Sequence, residues 1–127
     1  MKMALDNASG VNTIKRYEPG RVQIKERSFT RSLIVLPHRL IADWHPENVH
    51  ALRTADLDPI LEHRPEVLIV GTGETQVFPD PAAFTGLMDL GIGFEVMDNA
   101  AACRTYNILL AEDRRAALAL LLSPDVD

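Results

Sequence analysis

The 127-residue chain is long enough for one domain with its own core, and its 46% hydrophobic and 24% charged residues are typical of a globular protein. Its longest apolar runs, LIVL and ALALLL, are too short to cross a bilayer, and its first residues resemble neither a signal peptide nor an import sequence. The single cysteine, Cys103, excludes an internal disulfide and a multi-cysteine metal cage. We therefore expect a soluble cytoplasmic protein without a membrane span.

The net charge of −5 is unevenly distributed along the chain. Residues 1–64 hold ten Lys and Arg against eight Asp and Glu, whereas residues 65–127 hold three against ten. The basic residues of the first half are interrupted by Glu18 and Glu26 and lack the interleaved aromatic platforms of a nucleic-acid surface. We therefore interpret them as solvated outer faces of strands and do not expect a nucleic-acid partner; they are Lys15, Arg16, Arg21, Lys25, Arg27 and Arg31.

The first third of the chain carries the signals of short antiparallel strands. Residues 1–10 are rich in small and polar types, which predicts a frayed or disordered amino terminus. Residues 11–44 alternate between apolar and polar types around turn signals such as Glu18-Pro19-Gly20, which predicts a meander of four or five strands. Within this meander we predict one continuous strand over 29–36 and a further short strand over 41–44.

The middle of the chain predicts a βαβ unit. Residues 56–64 have helical spacing, with Thr54 or Asp56 as a cap and Pro65 as the stop. The β-branched run over 67–70 predicts a strand buried on both faces. A helix over 81–90, opened by a proline, then leads to a second parallel strand over 94–97, at a spacing that suits a right-handed crossover.

The last third of the chain predicts a helix and a closing strand. Asn99 is the natural N-cap of a helix over 100–111. Residues 114–122 fit a helix by their alanine and leucine content and a buried strand by their alternation, and we predict the strand because the preceding turn returns the chain to its sheet. The predicted fold class is α/β: a single domain over 11–122, with a mixed β-sheet, an N-terminal antiparallel meander, a βαβ crossover and a C-terminal strand. Residues 123–127 form a tail.

The ends of the two parallel strands are the expected binding edge, because ligands of open α/β sheets bind beyond the carboxyl ends of the strands. The glycine turn after the first strand could cradle a small anion with its backbone N–H groups. It lacks the remaining residues of a dinucleotide or nucleoside triphosphate motif, and the alternative is that its glycines only permit a tight turn and close packing. The binding residues predicted at this edge are Gly71, Thr72, Gly73, Glu74, Asp98, Asn99, Cys103 and Arg104.

Two of these residues have both a chemical and a structural interpretation. Cys103 lies one turn inside the predicted helix, where the helix dipole favours a thiolate, yet no histidine is placed beside it as a base; the alternative is a buried apolar cysteine. Arg104 needs a counter-charge if it is partly buried, either a bound carboxylate or phosphate or an internal partner such as Glu74 or Asp98. The four histidines lack metal-ligand spacing, and neither a metal nor a cofactor is expected.

Several motifs together resemble one known family. They are Gly71-Thr72-Gly73 with Gln76 and Phe78-Pro79, then Gly91-Ile92-Gly93, the run 95–98 and the run 101–107. Over residues 11–122 the sequence resembles a small α/β domain family that includes mitochondrial NADH dehydrogenase (complex I) assembly factor 3 and the adipogenesis-associated Mth-like protein. The resemblance implies a mixed sheet with a C-terminal strand and a protein partner. It implies no known reaction.

The sequence therefore supports two hypotheses of function. The first is a non-enzymatic binding or assembly-factor-like module that contacts a protein, or a small anion, through the predicted loop edge. The second is a small enzyme or redox protein that uses Cys103 as a reactive thiol.

Overall fold

The computed structural model describes residues 10–123, which form two β-sheets and three α-helices. The smaller sheet is an antiparallel meander with strand order β1-β2-β3: β1 (Arg16–Glu18), β2 (Arg21–Ile24) and β3 (Arg27–Phe29). Pro19 and Gly20 connect β1 to β2, and Gly20 has a φ of 77°, as the third residue of a type II turn requires.

The larger sheet is mixed and has the strand order β5-β4-β8-β6-β7. Its strands are β4 (Leu33–Leu36), β5 (Arg39–Ile41), β6 (Val67–Gly71), β7 (Gly93–Met97) and β8 (Ala116–Leu120). The last of these lies at the centre, antiparallel to β4 and parallel to β6, and all five of its residues are buried. The predicted mixed sheet, βαβ crossover and C-terminal strand are confirmed.

The predicted meander over 11–44 is divided between the two sheets. We predicted one strand over 29–36, but β3 ends at Phe29 and β4 begins at Leu33 in the other sheet. Ser32 fixes this crossing, because its Oγ accepts a hydrogen bond of 3.0 Å from the Leu122 N–H and its carbonyl accepts one of 2.9 Å from the Trp44 N–H. The short strand predicted over 41–44 is β5 at Arg39–Ile41, because the chain reverses directly after Leu36.

Each predicted helix is present, but those predicted over 56–64 and 81–90 are shorter as α-helices, and the cap of the third is corrected. The helices are α1 (Asp58–His63), α2 (Thr85–Asp89) and α3 (Asn99–Ala111); α1 and α2 follow 3₁₀ turns at Thr54–Leu57 and Pro81–Phe84, and a further 3₁₀ turn spans Val49–Ala51. The N-cap predicted for α3 was wrong. Asp98, not Asn99, caps this helix by accepting a hydrogen bond of 2.9 Å from the Ala101 N–H. Asn99 is instead the first residue of the helix, and its side chain bonds elsewhere.

The larger sheet is covered on both faces, which explains its continuous apolar runs. On one face, side chains such as Ile34, Leu68 and Val70 pack with residues of α1 and α2. On the other face, Val35 and Ile69 pack with α3 and with the three-stranded sheet. The predicted amino-terminal segment 1–10 and tail 123–127 lie almost entirely outside the described residues.

Candidate functional site

One buried side chain joins the exits of three neighbouring strands. The Asn99 Oδ1 accepts a hydrogen bond of 2.9 Å from the Gly73 N–H, and the Asn99 N–H donates one of 2.8 Å to the Gly73 carbonyl. The Asn99 Nδ2 also donates to the Leu121 carbonyl at 2.9 Å. Asn99 therefore connects the loop after β6, the start of α3 after β7 and the segment after β8.

The glycine turn is closely packed against this clamp. Gly71 is buried, and a Cβ at this position would lie 2.7 Å from the Leu120 Cδ1 and even closer to the Asn99 Oδ1. Gly73 has a φ of 118°, a conformation that side chains disfavour. The Thr72 hydroxyl donates to the Thr75 carbonyl at 2.8 Å and accepts from the Val77 N–H at 3.0 Å. The turn is thus held by its own hydrogen bonds.

Two N–H groups of this turn, those of Thr72 and Gly73, already have partners. The Thr72 N–H donates to the Met97 carbonyl at 3.0 Å, and the Gly73 N–H donates to Asn99. An anion bound here would have to replace these bonds, since a buried N–H is costly to leave without a partner. The geometry therefore favours the alternative in which the glycines serve tight turning and packing.

Tyr17 extends the network to the smaller sheet. Its hydroxyl donates to a carboxylate oxygen of Glu74 and accepts a hydrogen bond of 3.2 Å from the Asn99 Nδ2. Burial, and after it the hydrogen bond to Glu74, raises the pKa of Tyr17 to about 12, so the hydroxyl is a proton donor at neutral pH. The role of Tyr17 is not predictable from the sequence, because no local pattern connects it with a residue 57 positions away.

A cavity of about 440 Å³ lies over this network. Its walls come from the β1–β2 turn, the loop after β6, the start of α3 and the segment after β8, and it is lined by Pro19, Gly20, Thr72, Gly73, Glu74, Asn99, Leu121, Leu122 and Ser123. Four of the predicted binding residues therefore line one cavity. Gly71 packs beside Asn99 and Leu120, and the Asp98 side chain is used as the helix cap.

Cys103 and Arg104 line a different depression. It has a volume of about 270 Å³ and lies between β1 and the first turns of α3. Cys103 is only 4% exposed, and burial raises the pKa of its thiol to about 12 against a smaller lowering by Arg104. Arg104 is exposed and, among residues 10–123, lies within 4 Å of no carboxylate, so the expected ion pair with Glu74 or Asp98 does not form.

Two further polar side chains on α3 position β1 and hence Tyr17. Asn107 accepts from the Ile14 N–H at 2.8 Å and donates to the Ile14 carbonyl at 2.9 Å, as a neighbouring strand would. Tyr106 is fully buried and its hydroxyl donates to the Asn12 carbonyl at 3.0 Å. These contacts span more than 90 positions, so no local sequence pattern indicates them.

Residues 10–123 contain neither a cluster of metal ligands nor a membrane-spanning helix. No three His, Cys, Asp or Glu side chains lie where they could hold a metal ion in this part of the chain. None of the helices described is both long and apolar enough to cross a membrane.

Comparison with known proteins establishes the family. Residues 14–121 match the model of a family described as a protein of unknown function (DUF498/DUF598). The chain belongs to this family. The NADH dehydrogenase [ubiquinone] 1 alpha subcomplex assembly factor 3 of Danio rerio is 31% identical over 119 residues, which are 92% of this chain and 68% of that protein. The resemblance deduced from the motifs is thus confirmed.

Two further proteins are similar to this chain. The solution structure of a Mth938-like domain from Bordetella pertussis has a TM-score of 0.72 and 31% identity, and the match covers 98% of this chain and 94% of that one. A protein of Francisella tularensis named 13 kDa major membrane protein is 26% identical over 84% of this chain and 88% of its own length. The fold of this chain is therefore Mth938-like.

Proposed function

We propose that this protein is a non-enzymatic, assembly-factor-like module whose protein partner docks at the cavity over Asn99. The observation that carries the proposal is the clamp that Asn99 forms between three strand exits. It fixes the cavity walls before any partner arrives, so that little conformational entropy is lost on binding. The relation to an assembly factor supports a protein as the ligand.

The second candidate, an enzyme or redox protein using Cys103, rests on the position of this thiol near the start of α3. The thiol is buried, and its raised pKa keeps it neutral at physiological pH, whereas a nucleophilic or redox-active cysteine reacts as the thiolate. We therefore favour the binding module. A small anion is an alternative ligand of the cavity, but it would have to bind beside the negatively charged carboxylate of Glu74 in the cavity wall.

Capture from the native cell with matched variants tests the proposal. Tagged wild-type protein should recover a specific partner, and Glu74→Lys should lose it, because Glu74 is an exposed residue of the cavity wall. Glu62→Lys is the control, since it makes the same charge change on the exposed surface of α1, away from the cavity. Failure of the wild type to recover a specific partner, or equal recovery by Glu74→Lys, would contradict the proposal.

We also propose that the protein acts in the cytoplasm. The finding that supports this location is the absence of a membrane-spanning helix within residues 10–123. The name of the Francisella relative points to a membrane, so fractionation of native cells is the decisive measurement. Recovery of the protein in the high-salt-washed membrane fraction would contradict a cytoplasmic location.

A further inference from the structure

The charged side chains that line the depression between β1 and α3 are all basic. The rim of this depression carries Lys15, Arg16 and Arg104, all of them exposed, and none of the residues that line it is acidic. We call it the basic groove. Two of its cations are neighbours on the edge of the smaller sheet and the third comes from α3, so the fold brings together charges that lie about 90 positions apart in the sequence.

The cations of the basic groove are poorly compensated within the protein. Arg16 lies 3.7 Å from Glu18, but the two side chains are 72% and 52% exposed, and such surface pairs are weak. Lys15 and Arg104 lie within 4 Å of no carboxylate in the part of the chain that the structure describes. A chain with a net charge of −5 therefore presents a local positive surface at this groove.

The basic groove adjoins the proposed docking cavity. Tyr17 lines the groove, and its hydroxyl bonds to Glu74 and Asn99 in the cavity wall. One extended segment that crosses Tyr17 would contact both depressions. The two differ in charge, since Glu74 contributes a carboxylate to the cavity and the groove offers only cations.

We propose that the basic groove binds an acidic segment of the partner protein, an inference that rests on the proposed function. Guanidinium groups pair with carboxylates through two parallel hydrogen bonds, and a positive patch on an acidic protein orients an acidic partner during approach. A nucleic acid is a poorer match, because the groove is short and apart from Tyr17 holds no aromatic platform.

A defined peptide probe tests the charge preference. The ¹⁵N-labelled protein is titrated by NMR with a synthetic glutamate decapeptide and, as the matched control, with a glutamine decapeptide. We expect the glutamate peptide alone to shift the amides of Lys15, Arg16, Ala100 and Arg104, with an affinity that falls steeply as salt is added. An absence of shifts at these residues, or equal shifts with both peptides, would overturn the inference.

Charge-reversal variants distinguish the effect of the basic groove on peptide binding from the effect of the protein's net charge. Arg104→Glu should weaken binding of the glutamate peptide about tenfold, whereas Arg53→Glu, the same change at an exposed site outside the groove, should weaken it less than about twofold. Equal losses would show that only net charge matters and would overturn the inference. Tighter binding of single-stranded DNA or of phosphatidylserine vesicles, lost equally in Arg104→Glu, would overturn it in favour of that ligand.

The capture experiment distinguishes this inference from the proposed function. If the wild type and Arg104→Glu recover a native partner equally, the inference of an acidic segment is overturned, while the proposal of a docking cavity still stands. A partner recovered by Arg104→Glu less than by Arg53→Glu would support the inference.

Discussion

Asn99 and Gly73 exchange two hydrogen bonds of opposite direction, although they lie 26 positions apart. The Gly73 N–H donates to the Asn99 side chain, while the Asn99 N–H donates to the Gly73 carbonyl. This reciprocal pair joins the carboxyl ends of β6 and β7, and the remaining amide hydrogens of Asn99 reach Leu121 and Tyr17.

Replacement of Asn99 should destabilise the protein strongly. Asn99→Ala leaves the Gly73 N–H and the Leu121 carbonyl without their partners in a buried site, and we expect the free energy of unfolding to fall by about 3 kcal/mol. Asn48→Ala is the control: its side chain caps an exposed 3₁₀ turn, and its loss should cost about 1 kcal/mol. Urea denaturation measures both, and equal losses would contradict the role of the clamp.

Gly71 should tolerate no side chain. The Cβ of Gly71→Ala would lie 2.7 Å from the Leu120 Cδ1 and also press on the Asn99 Oδ1, and overpacking of this kind costs about 2 kcal/mol. Gly93→Ala is the matched control, because the nearest atom to its Cβ is a backbone oxygen at 3.7 Å. If thermal denaturation places the two variants at the same stability, the close approach of Gly71 is not required.

The hydroxyl of Tyr17 should contribute to stability in a pH-dependent manner. Tyr17→Phe removes the bonds to Glu74 and Asn99, and we expect a loss of about 1 kcal/mol at pH 7. The pKa of Tyr17 is raised to about 12 in the folded state, so its contribution is complete below pH 10 and is lost as the pH rises towards 12.

Denaturation curves of wild type and Tyr17→Phe between pH 7 and pH 12 measure this dependence. The difference between the two proteins should shrink above about pH 10. Tyr106 is present in both proteins, so its own raised pKa cancels from the difference. A difference that stays constant up to pH 12 would contradict the assignment.

The thiol of Cys103 should be unreactive in the folded protein. Burial raises its pKa to about 12, so we expect alkylation by iodoacetamide at pH 8 to be at least about a hundredfold slower than in the denatured chain. The rate should keep rising with pH without an inflection below about pH 11. An inflection between pH 7 and 9 in the folded protein would instead favour the thiol-based function.

The sequence predicted the parts of the fold that leave a local pattern. The apolar run over 67–70 identified β6 because full burial excludes polar residues from a central strand. The run over 114–122 fitted a helix as well, and the preceding turn decided in favour of β8. No comparable signal marks Ser32, where the chain changes sheets, because only three residues separate the two flanking strands and none of them is a glycine or proline.

The site was predicted only as far as neighbouring strand exits determine it. Parallel pairing brought Gly73 and Asn99 together as expected. The contributions of Tyr17 and Asn107 arise from contacts across 57 and 93 positions, which no spacing rule encodes. Asp98 caps α3, and the Asn99 side chain is bonded to Gly73 and Leu121 instead. Only the three-dimensional arrangement reveals these partners of Asn99.

The placement of β8 between β4 and β6 has a consequence for synthesis on the ribosome. Without β8, the pair β5-β4 and the pair β6-β7 share no hydrogen-bonded strands. A nascent chain that ends before residue 116 therefore exposes the open edges of β4 and β6. Completion of the sheet must therefore wait until residue 120 has left the exit tunnel. Ribosome-bound chains stalled before and after this point should differ sharply in their sensitivity to proteases.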